Sequence, residues 1–342
     1  MGTTSINGVS LVLCCHNSIS RLPKTIKHVF AQLLHSQIPW ELIIVDNASS
    51  DETFQVAKDL TQGAPFDCTI VTEKTIGLCN ARVRGIAESK YEFISLVDDD
   101  NWVCFDWVQT VYEIMSSFPE VGACGGIGEP AFDSVPPYWF ELVFNSFAVG
   151  KQCRSTGYVP ASRGYLWGAG LTIRKTAWNN LTSKGFRFML SGREGNKLSS
   201  GEDTELCFAL RLCGWRLWYD ERLKFVHYIP KERLNLIYLK HLYRAFGDAS
   251  VILDQYKLLI ECKPTDKISL MKYYLSNTFK TILTLSKFTI FSQLTISVAE
   301  SETKNFLRAV YREYEHGRTL SYIKSFPKFV RHLNMIRKYV PE

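Results

Sequence analysis

Phe93-Ile94-Ser95-Leu96-Val97-Asp98-Asp99-Asp100-Asn101 is the stretch on which the reading of this chain turns. Four of its first five residues are apolar, which predicts a buried strand. Three consecutive carboxylates follow at once. Acids clustered at the end of a buried strand are costly, because like charges a few ångströms apart repel and burial raises the cost of each. A divalent cation would relieve both problems, since hard oxygen ligands suit Mg²⁺ or Mn²⁺. An acidic turn after a strand is the plainer alternative, and this stretch alone does not separate the two.

Upstream, residues 9–15, 42–45 and 69–71 are short apolar runs that predict further strands, and 121–124 predicts another downstream. Apolar residues at helical spacing lie between them: Ile26, Val29, Phe30 and Leu33 after a well-placed Pro23, then 77–87 and 107–115. Ser49 and Glu52 have the spacing of a capping box for the helix after the second strand. Strands alternating with helices imply βαβ units, in which ligands bind outside the carboxyl ends of the strands. His16-Asn17, Asp46-Asn47 and Asp98 to Asp100 all fall at those ends, and three polar clusters on one rim say more than any one of them. The glycine-rich Gly125-Gly126-Ile127-Gly128 follows a strand without opening a helix. Neither G-x-G-x-x-G after the first strand nor G-x-x-x-x-G-K-[ST] occurs, which argues against dinucleotide and P-loop chemistry.

Beyond residue 128 the pattern changes. Residues 132–164 are rich in Pro, Gly and aromatics, and 165–173 is strand-like but interrupted by Gly168 and Gly170. Residues 185–201 carry Arg187, Arg193, Glu194 and Lys197 among Gly and Ser and predict a mobile loop. That loop runs into Glu202-Asp203-Thr204-Glu205 at the start of a helix, where acids also suit the helix dipole. Two short strands, 216–219 and 223–226, then end at His227.

Four blocks of this chain resemble family 2 glycosyltransferases, inverting enzymes of the GT-A fold that use nucleotide-activated sugars. Leu11 to Asn17 is similar to the family's first strand. Ile43 to Thr53 resembles V-D-[DN]-x-S-x-D-x-T, Asp98-Asp99-Asp100 fits D-x-D, and Glu202-Asp203 fits the [ED]-D catalytic block. The resemblance covers residues 8–230. Gly77 to Gly85 keeps the Ala-Arg of the family's G-x-x-x-A-R-N-x-G as Ala81-Arg82 but has Val83 in place of Asn. Processive members carry Q-x-x-R-W and transmembrane helices. This chain has neither, so a non-processive, bacterial-type enzyme adding one sugar is expected.

The resemblance implies a mixed α/β sheet of the GT-A type flanked by helices. It divides into a nucleotide-binding half over 8–128 and an acceptor half over 129–230, with a helical, basic region over 231–342. It implies a UDP-sugar donor, a glycan or lipid-linked glycan acceptor, and Mn²⁺ or Mg²⁺. Asp46 would accept from the uracil imide, with His16, Asn17, Arg82, Asp98 and Asp99 as further donor-binding residues. Asp100 would bind the metal, and His227 is a second candidate ligand. Which of the three aspartates touches the ion stays open. Asp203 would be the base that takes the acceptor proton, with Glu202 orienting it. Arg82, Arg193 and Lys197 are candidates to meet the diphosphate, and Tyr165 and Trp167 could stack on an acceptor sugar.

With 46% hydrophobic and 22% charged residues, the 342-residue chain has an ordinary globular composition and enough length for two units. No run of ~18 apolar residues occurs, so no transmembrane helix is expected. No secretory leader is expected either. The ten cysteines include no C-x-x-C pair and sit mostly in apolar runs, which predicts reduced thiols and a cytoplasmic setting. Residues 263–342 hold 14 Lys/Arg against 6 Asp/Glu, a local charge of +8 within a total of +6. That basic segment also carries the apolar Ile282, Leu283, Leu285, Phe288, Ile290 and Phe291. Either it lies on the inner face of an anionic membrane, or it packs on the catalytic unit or a second subunit. No nucleic-acid partner is expected, and oligomeric state is not legible. Two other functions remain in view: a non-catalytic nucleotide- or carbohydrate-binding protein on the same fold, and a nucleotidyltransferase.

Overall fold

A computed structural model describes residues 6–195, 198–294 and 302–341. The elements in chain order are β1 (Ile6–Cys15), α1 (Leu22–Phe30), β2 (Trp40–Asn47), α2 (Thr53–Thr61), β3 (Asp67–Glu73), α3 (Leu78–Glu88), β4 (Tyr91–Asp98), β5 (Asn101–Val103), α4 (Trp107–Ser117), β6 (Val121–Phe132) and α5 (Phe140–Val143). These are followed by β7 (Gly157–Tyr158), β8 (Thr172–Arg174), α6 (Lys175–Ser183), α7 (Glu202–Leu212), β9 (Arg216–Ile229), α8 (Leu236–Ile260), α9 (Lys267–Leu294) and α10 (Glu302–Arg337). The described strands form one sheet in the order β3-β2-β1-β4-β8-β6-β9-β5, with β7 added beside β9.

The first half of the sheet is parallel, and its register sets the rim. Cys15 pairs with Asp46 across β1 and β2, and Cys14 with Asp98 across β1 and β4. The strand ends therefore deliver Asp46 and Asp98 to either side of β1. The second half is mixed: β8 is antiparallel to both β4 and β6, and β5 is antiparallel to β9. Side chains alternate across β1, β2 and β4, so each strand feeds two cores. Val12, Ile43, Val45 and Leu96 pack with α6 and α7 on one face, while Leu11, Leu13, Ile44 and Val97 pack with α1 and α4 on the other.

Several local expectations change. The 165–173 run contributes only the short β8, because Trp167 and Gly168 spend their backbone N–H groups on the side chains of Gln152 and Asp203 rather than on a neighbouring strand. The two strands expected over 216–226 are one, β9, and the polar Asp220 to Arg222 coincides with an irregular register against β6. Gly125 to Gly128 lies within β6. No side-chain cap from Ser49 is found on α2; Asp51 instead accepts from the Thr53 backbone N–H at 3.0 Å. Within the loop expected over 185–201, residues 196 and 197, and so Lys197, lie outside the described residues, as do the side chains of Ile290 and Phe291.

The C-terminal helices are joined to the sheet. Leu239 of α8 and Phe306 and Val310 of α10 pack with Trp139, Phe140 and Ile229. Burying such a side chain contributes roughly 1.5–3 kcal/mol. Tyr256 and Tyr339 reach the core beside α7. Helices α8 and α10 cross at Gly247 and Gly317. A Cβ on either would fall inside backbone of the other helix, at the Tyr314 or Arg244 carbonyl oxygen, so only glycine permits this approach. Among the described residues no helix is long and apolar enough to cross a membrane.

Candidate active site

The three aspartates do not converge. Each leaves the turn after β4 in its own direction, and each meets its own arginine. Asp98 Oδ1 accepts from Arg82 at 3.2 Å, Asp99 Oδ2 from Arg21 at 2.8 Å, and Asp100 Oδ2 from Arg233 at 2.9 Å. Ser18 Oγ also donates to Asp99, and Thr25 donates to its backbone carbonyl at 2.6 Å, so Asp99 faces the start of α1. The repulsion expected of adjacent buried acids is thus offset by guanidinium groups from three distant parts of the chain. Burial holds the Asp98 carboxyl above its ordinary range, with Arg82 partly opposing. Burial acts the same way on Asp100, but Arg233 and His227 more than reverse it and hold that carboxyl well below its usual range.

His227 reaches Asp100 because β5 and β9 pair Asn101 with His227. Its Nδ1 lies 2.6 Å from the Phe147 carbonyl, which can only accept, so Nδ1 carries a proton. Its Nε2 lies 3.7 Å from Asp100 Oδ2. Metal-ligating histidines are commonly oriented by a backbone carbonyl in this way. Arg233 shares the same Asp100 oxygen. Among the described residues no group of three His, Cys, Asp or Glu side chains converges to hold an ion. Asp100 and His227 could supply two ligands to an ion, which would have to take its remaining ligands from elsewhere.

Glu202 and Asp203 open α7 after Gly201. Asp203 Oδ2 accepts the Gly168 N–H at 2.8 Å and Oδ1 that of Thr204 at 2.6 Å, which fixes the carboxylate in one orientation. Glu202 Oε1 lies 3.3 Å from Arg82 Nη1, so Arg82, almost fully buried, bridges Asp98 to Glu202. Burial and the Asp203 charge push the Glu202 carboxyl up to about 7, against Arg82. A Cβ at Gly168 would sit 3.0 Å from both terminal nitrogens of Arg82 and 3.2 Å from Asp203 Cβ, leaving little room there for any other residue. Glu205, one turn on, accepts from the Met189 and Leu190 N–H groups at 2.9–3.1 Å and from the Tyr256 hydroxyl at 3.0 Å. It ties the loop before α7 to α8.

On the nucleotide side, His16 Nδ1 donates to the Asn47 carbonyl at 2.7 Å. Asn17, in a left-handed conformation, accepts from the Ser50 N–H at 2.8 Å and so holds the turn after β2. Asp46 lies just beneath this rim, and its buried Oδ1 has no hydrogen-bond partner among the described residues. A buried carboxylate oxygen without a donor is costly and calls for an explanation.

A cavity of about 970 Å³ joins these groups: His16, Asn17, Arg82, Asp98 to Asp100, Glu202, Asp203 and His227 all line it. So do Arg21, Arg163 and Arg233, and side chains of α8 and α10 including Phe246 and Tyr314. Arg193 lines it too and donates to the Tyr238 hydroxyl at 2.6 Å. Sequence reasoning passed over Arg21 and Arg233, and took Glu205 only as part of the acidic start of a helix. The one local signal was the closeness of Arg233 to His227 in sequence.

Residues 10–161 match the family model described as Glycosyl transferase family 2. A glucosyl-dolichyl phosphate glucuronosyltransferase of Haloferax volcanii is 22% identical over 241 residues, 70% of this chain and 74% of that protein. A poly-beta-1,6-N-acetyl-D-glucosamine synthase of Staphylococcus epidermidis is 27% identical over 122 residues, 35% of this chain and 28% of that protein. Among solved structures, residues 1–349 of S. aureus TarS in complex with UDP-GlcNAc superpose with a TM-score of 0.54 at 12% identity, covering 97% of this chain and 90% of that one. The UDP complex of the same protein gives 0.51. At that identity the likeness is one of fold, and the fold is GT-A.

Proposed function

We propose that this chain is a family 2 glycosyltransferase on a GT-A core, and that it moves one sugar, with inversion, from a UDP-sugar to a glycan or lipid-linked glycan. The observation that carries the donor reading is the buried, unpartnered Oδ1 of Asp46 at the end of β2; Asp46 does not itself line the cavity, but its neighbour Asn47 does. An imide N–H of uracil would satisfy it, and a base presenting no such donor would leave it unpaired. The TarS complexes with UDP and UDP-GlcNAc support the same choice.

In this reading Asp203 takes the proton from the acceptor hydroxyl, and the Gly168 and Thr204 N–H groups keep it aimed. Glu202 and Asp98 hold Arg82 between them, and Arg82 keeps both carboxylates at fixed positions around the donor. Arg193 and Arg233 meet the diphosphate. Asp100 and His227 would hold Mn²⁺ or Mg²⁺, which would supply positive charge against that building on the departing diphosphate. A non-catalytic binding protein would need neither an oriented carboxylate nor the cationic groups gathered around Asp100.

Thermal unfolding of the purified chain with UDP, GDP and dTDP, with and without Mn²⁺, tests the donor site. Saturating UDP with Mn²⁺ is expected to raise stability by about 2–4 kcal/mol. Asp46→Ala should abolish the preference for UDP over GDP, and His227→Ala the part that depends on Mn²⁺. A UDP response untouched by Asp46→Ala would sink the base-recognition role, and one indifferent to Mn²⁺ would sink the metal role.

The acceptor side of the proposal includes a location, peripheral on the inner face of a membrane. Ile268, Met271, Leu275, Phe279 and Ile282 of α9 are exposed at helical spacing, with Lys267, Lys272 and Lys280 interleaved. An apolar stripe edged by lysines suits an anionic lipid surface. The chain is expected to co-sediment with phosphatidylglycerol vesicles and to be released by Phe279→Glu. Absence from the vesicle pellet removes this part of the proposal.

A further inference from the structure

Among the described residues, most cations lining the cavity meet a carboxylate, and Arg193 meets a hydroxyl. Arg21, Arg82 and Arg233 each face an aspartate, Lys257 Nζ lies 3.8 Å from Asp254, and Arg193 donates to Tyr238. Arg163 has no carboxylate partner among the described residues, and its buried Nε and Nη2 have no hydrogen-bond acceptor. Its guanidinium stacks 4.2 Å from the centre of the Tyr165 ring and 5.5 Å from that of Trp167. Stacking on two aromatic faces fixes a guanidinium in plane but does not neutralise it.

The strip that carries these residues is pegged along its length. Gly164 donates to Pro160 at 2.9 Å, Trp167 to Gln152 at 2.7 Å, and Gly168 to Asp203 at 2.8 Å. Gly168, at one end, touches both Arg82 and Asp203, and Arg163 stands at the other end, past the two rings. A planar, unpaired cation and two aromatic faces thus lie on the cavity wall that leads away from the proposed base.

We propose that Arg163, Tyr165 and Trp167 form an acceptor-side subsite for an anionic sugar unit, with the guanidinium paired to a carboxylate or phosphate and the rings beside the pyranose. This rests on the reading of Asp203 as the base only for its assignment to the acceptor; the anion preference stands on Arg163 itself. A planar guanidinium suits either anion, because both present two oxygens to its fork.

Saturation-transfer NMR on the full chain, with UDP present in excess to fill the donor site, tests it using methyl glucuronide, glucose 1-phosphate and methyl glucoside. At least one anionic probe is expected to bind about tenfold more tightly than the neutral glucoside. The glucuronide alone responding would identify a carboxylate, and glucose 1-phosphate alone a phosphate. Arg163→Gln should erase the preference and Arg163→Lys retain part of it, while both variants keep the wild-type melting temperature and response to UDP. Equal binding of all three probes, or a preference that survives Arg163→Gln, overturns the inference. Should UDP fail to stabilise the wild-type chain while an Arg163-dependent anion preference persists, the donor reading falls and the subsite stands.

Discussion

Replacing Arg82 by alanine is expected to cost about 3–5 kcal/mol of stability at pH 8, which is a large share of what a domain of this size has to lose. The guanidinium is almost wholly buried and bonded to two carboxylates from opposite sides of the site, Asp98 at 3.2 Å and Glu202 at 3.3 Å. Its removal strands the buried Glu202 and the partly buried Asp98 and leaves a void against Gly168. Breaking a buried pair from one side costs more than the pair itself contributes, because the remaining charge keeps its desolvation penalty.

The deficit depends on pH, and its sign follows from Glu202. Burial raises that carboxyl from an ordinary 4.5 to about 7, with Asp203 adding to the shift and Arg82 opposing it. The native chain therefore holds a proton that the unfolded chain has released. The associated stability is complete below about 4.5 and is lost as pH rises through about 7. Glu205, raised to about 7 chiefly by burial, adds a contribution of the same sign. Without Arg82 only a backbone hydrogen bond favours the ionised Glu202, so acidification relieves the stranded charge. Urea unfolding at pH 5 and pH 8 should show the Arg82→Ala deficit shrinking at the lower pH. A deficit below about 1 kcal/mol at pH 8 would mean that the two acids do not depend on this arginine. Arg82→Lys, with one point charge for two carboxylates, should fall between.

Why these pairings escaped the sequence while the sheet did not is a matter of range. Strands β1, β2 and β4 announce themselves through short apolar runs, and their polar ends mark the rim because an unpaired carboxylate within a buried strand is costly. Both signals lie within a few residues. The partners of the acidic triplet do not. Asp99 meets Arg21 and Asp100 meets Arg233, contacts that exist only once α1 and the segment after β9 have docked. The triplet alone left a metal site and a plain acidic turn both open, and in the structure arginines offset much of its charge. Residues 165–173 misled for the opposite reason. Their composition is that of a strand, but the backbone donors of Trp167 and Gly168 are claimed by Gln152 and Asp203, an arrangement that fixes the Asp203 carboxylate and carries no period. The C-terminal helices read as an appendage because nothing local marks α8 and α10 as walls of the cavity. Gly247 and Gly317, needed where those helices touch, were the sequence trace of their packing.

Asp203→Asn is expected to lower the rate of sugar transfer by about 10²–10⁴-fold, the usual contribution of a positioned base. UDP release from the UDP-sugar that gives the fastest turnover, with water as acceptor, reads this without knowledge of the natural acceptor. Asparagine keeps the side chain's size and an oxygen for the Thr204 N–H, but its amide nitrogen cannot accept from Gly168 and cannot take a proton. A base and a merely positioning residue then separate cleanly. Loss of a base lowers kcat while the KM for donor and the UDP-induced rise in melting temperature stay put. A residue that only pins the 163–168 strip would instead change KM and melting temperature together. Glu202→Gln provides the contrast. It removes the acid that holds Arg82 at 3.3 Å without touching the proton acceptor, so its effect should fall on donor affinity and stability more than on kcat. Should Asp203→Asn turn over at the wild-type rate, the proton goes elsewhere. Glu202, the other acid of the block and held near neutrality, would be the next base to test.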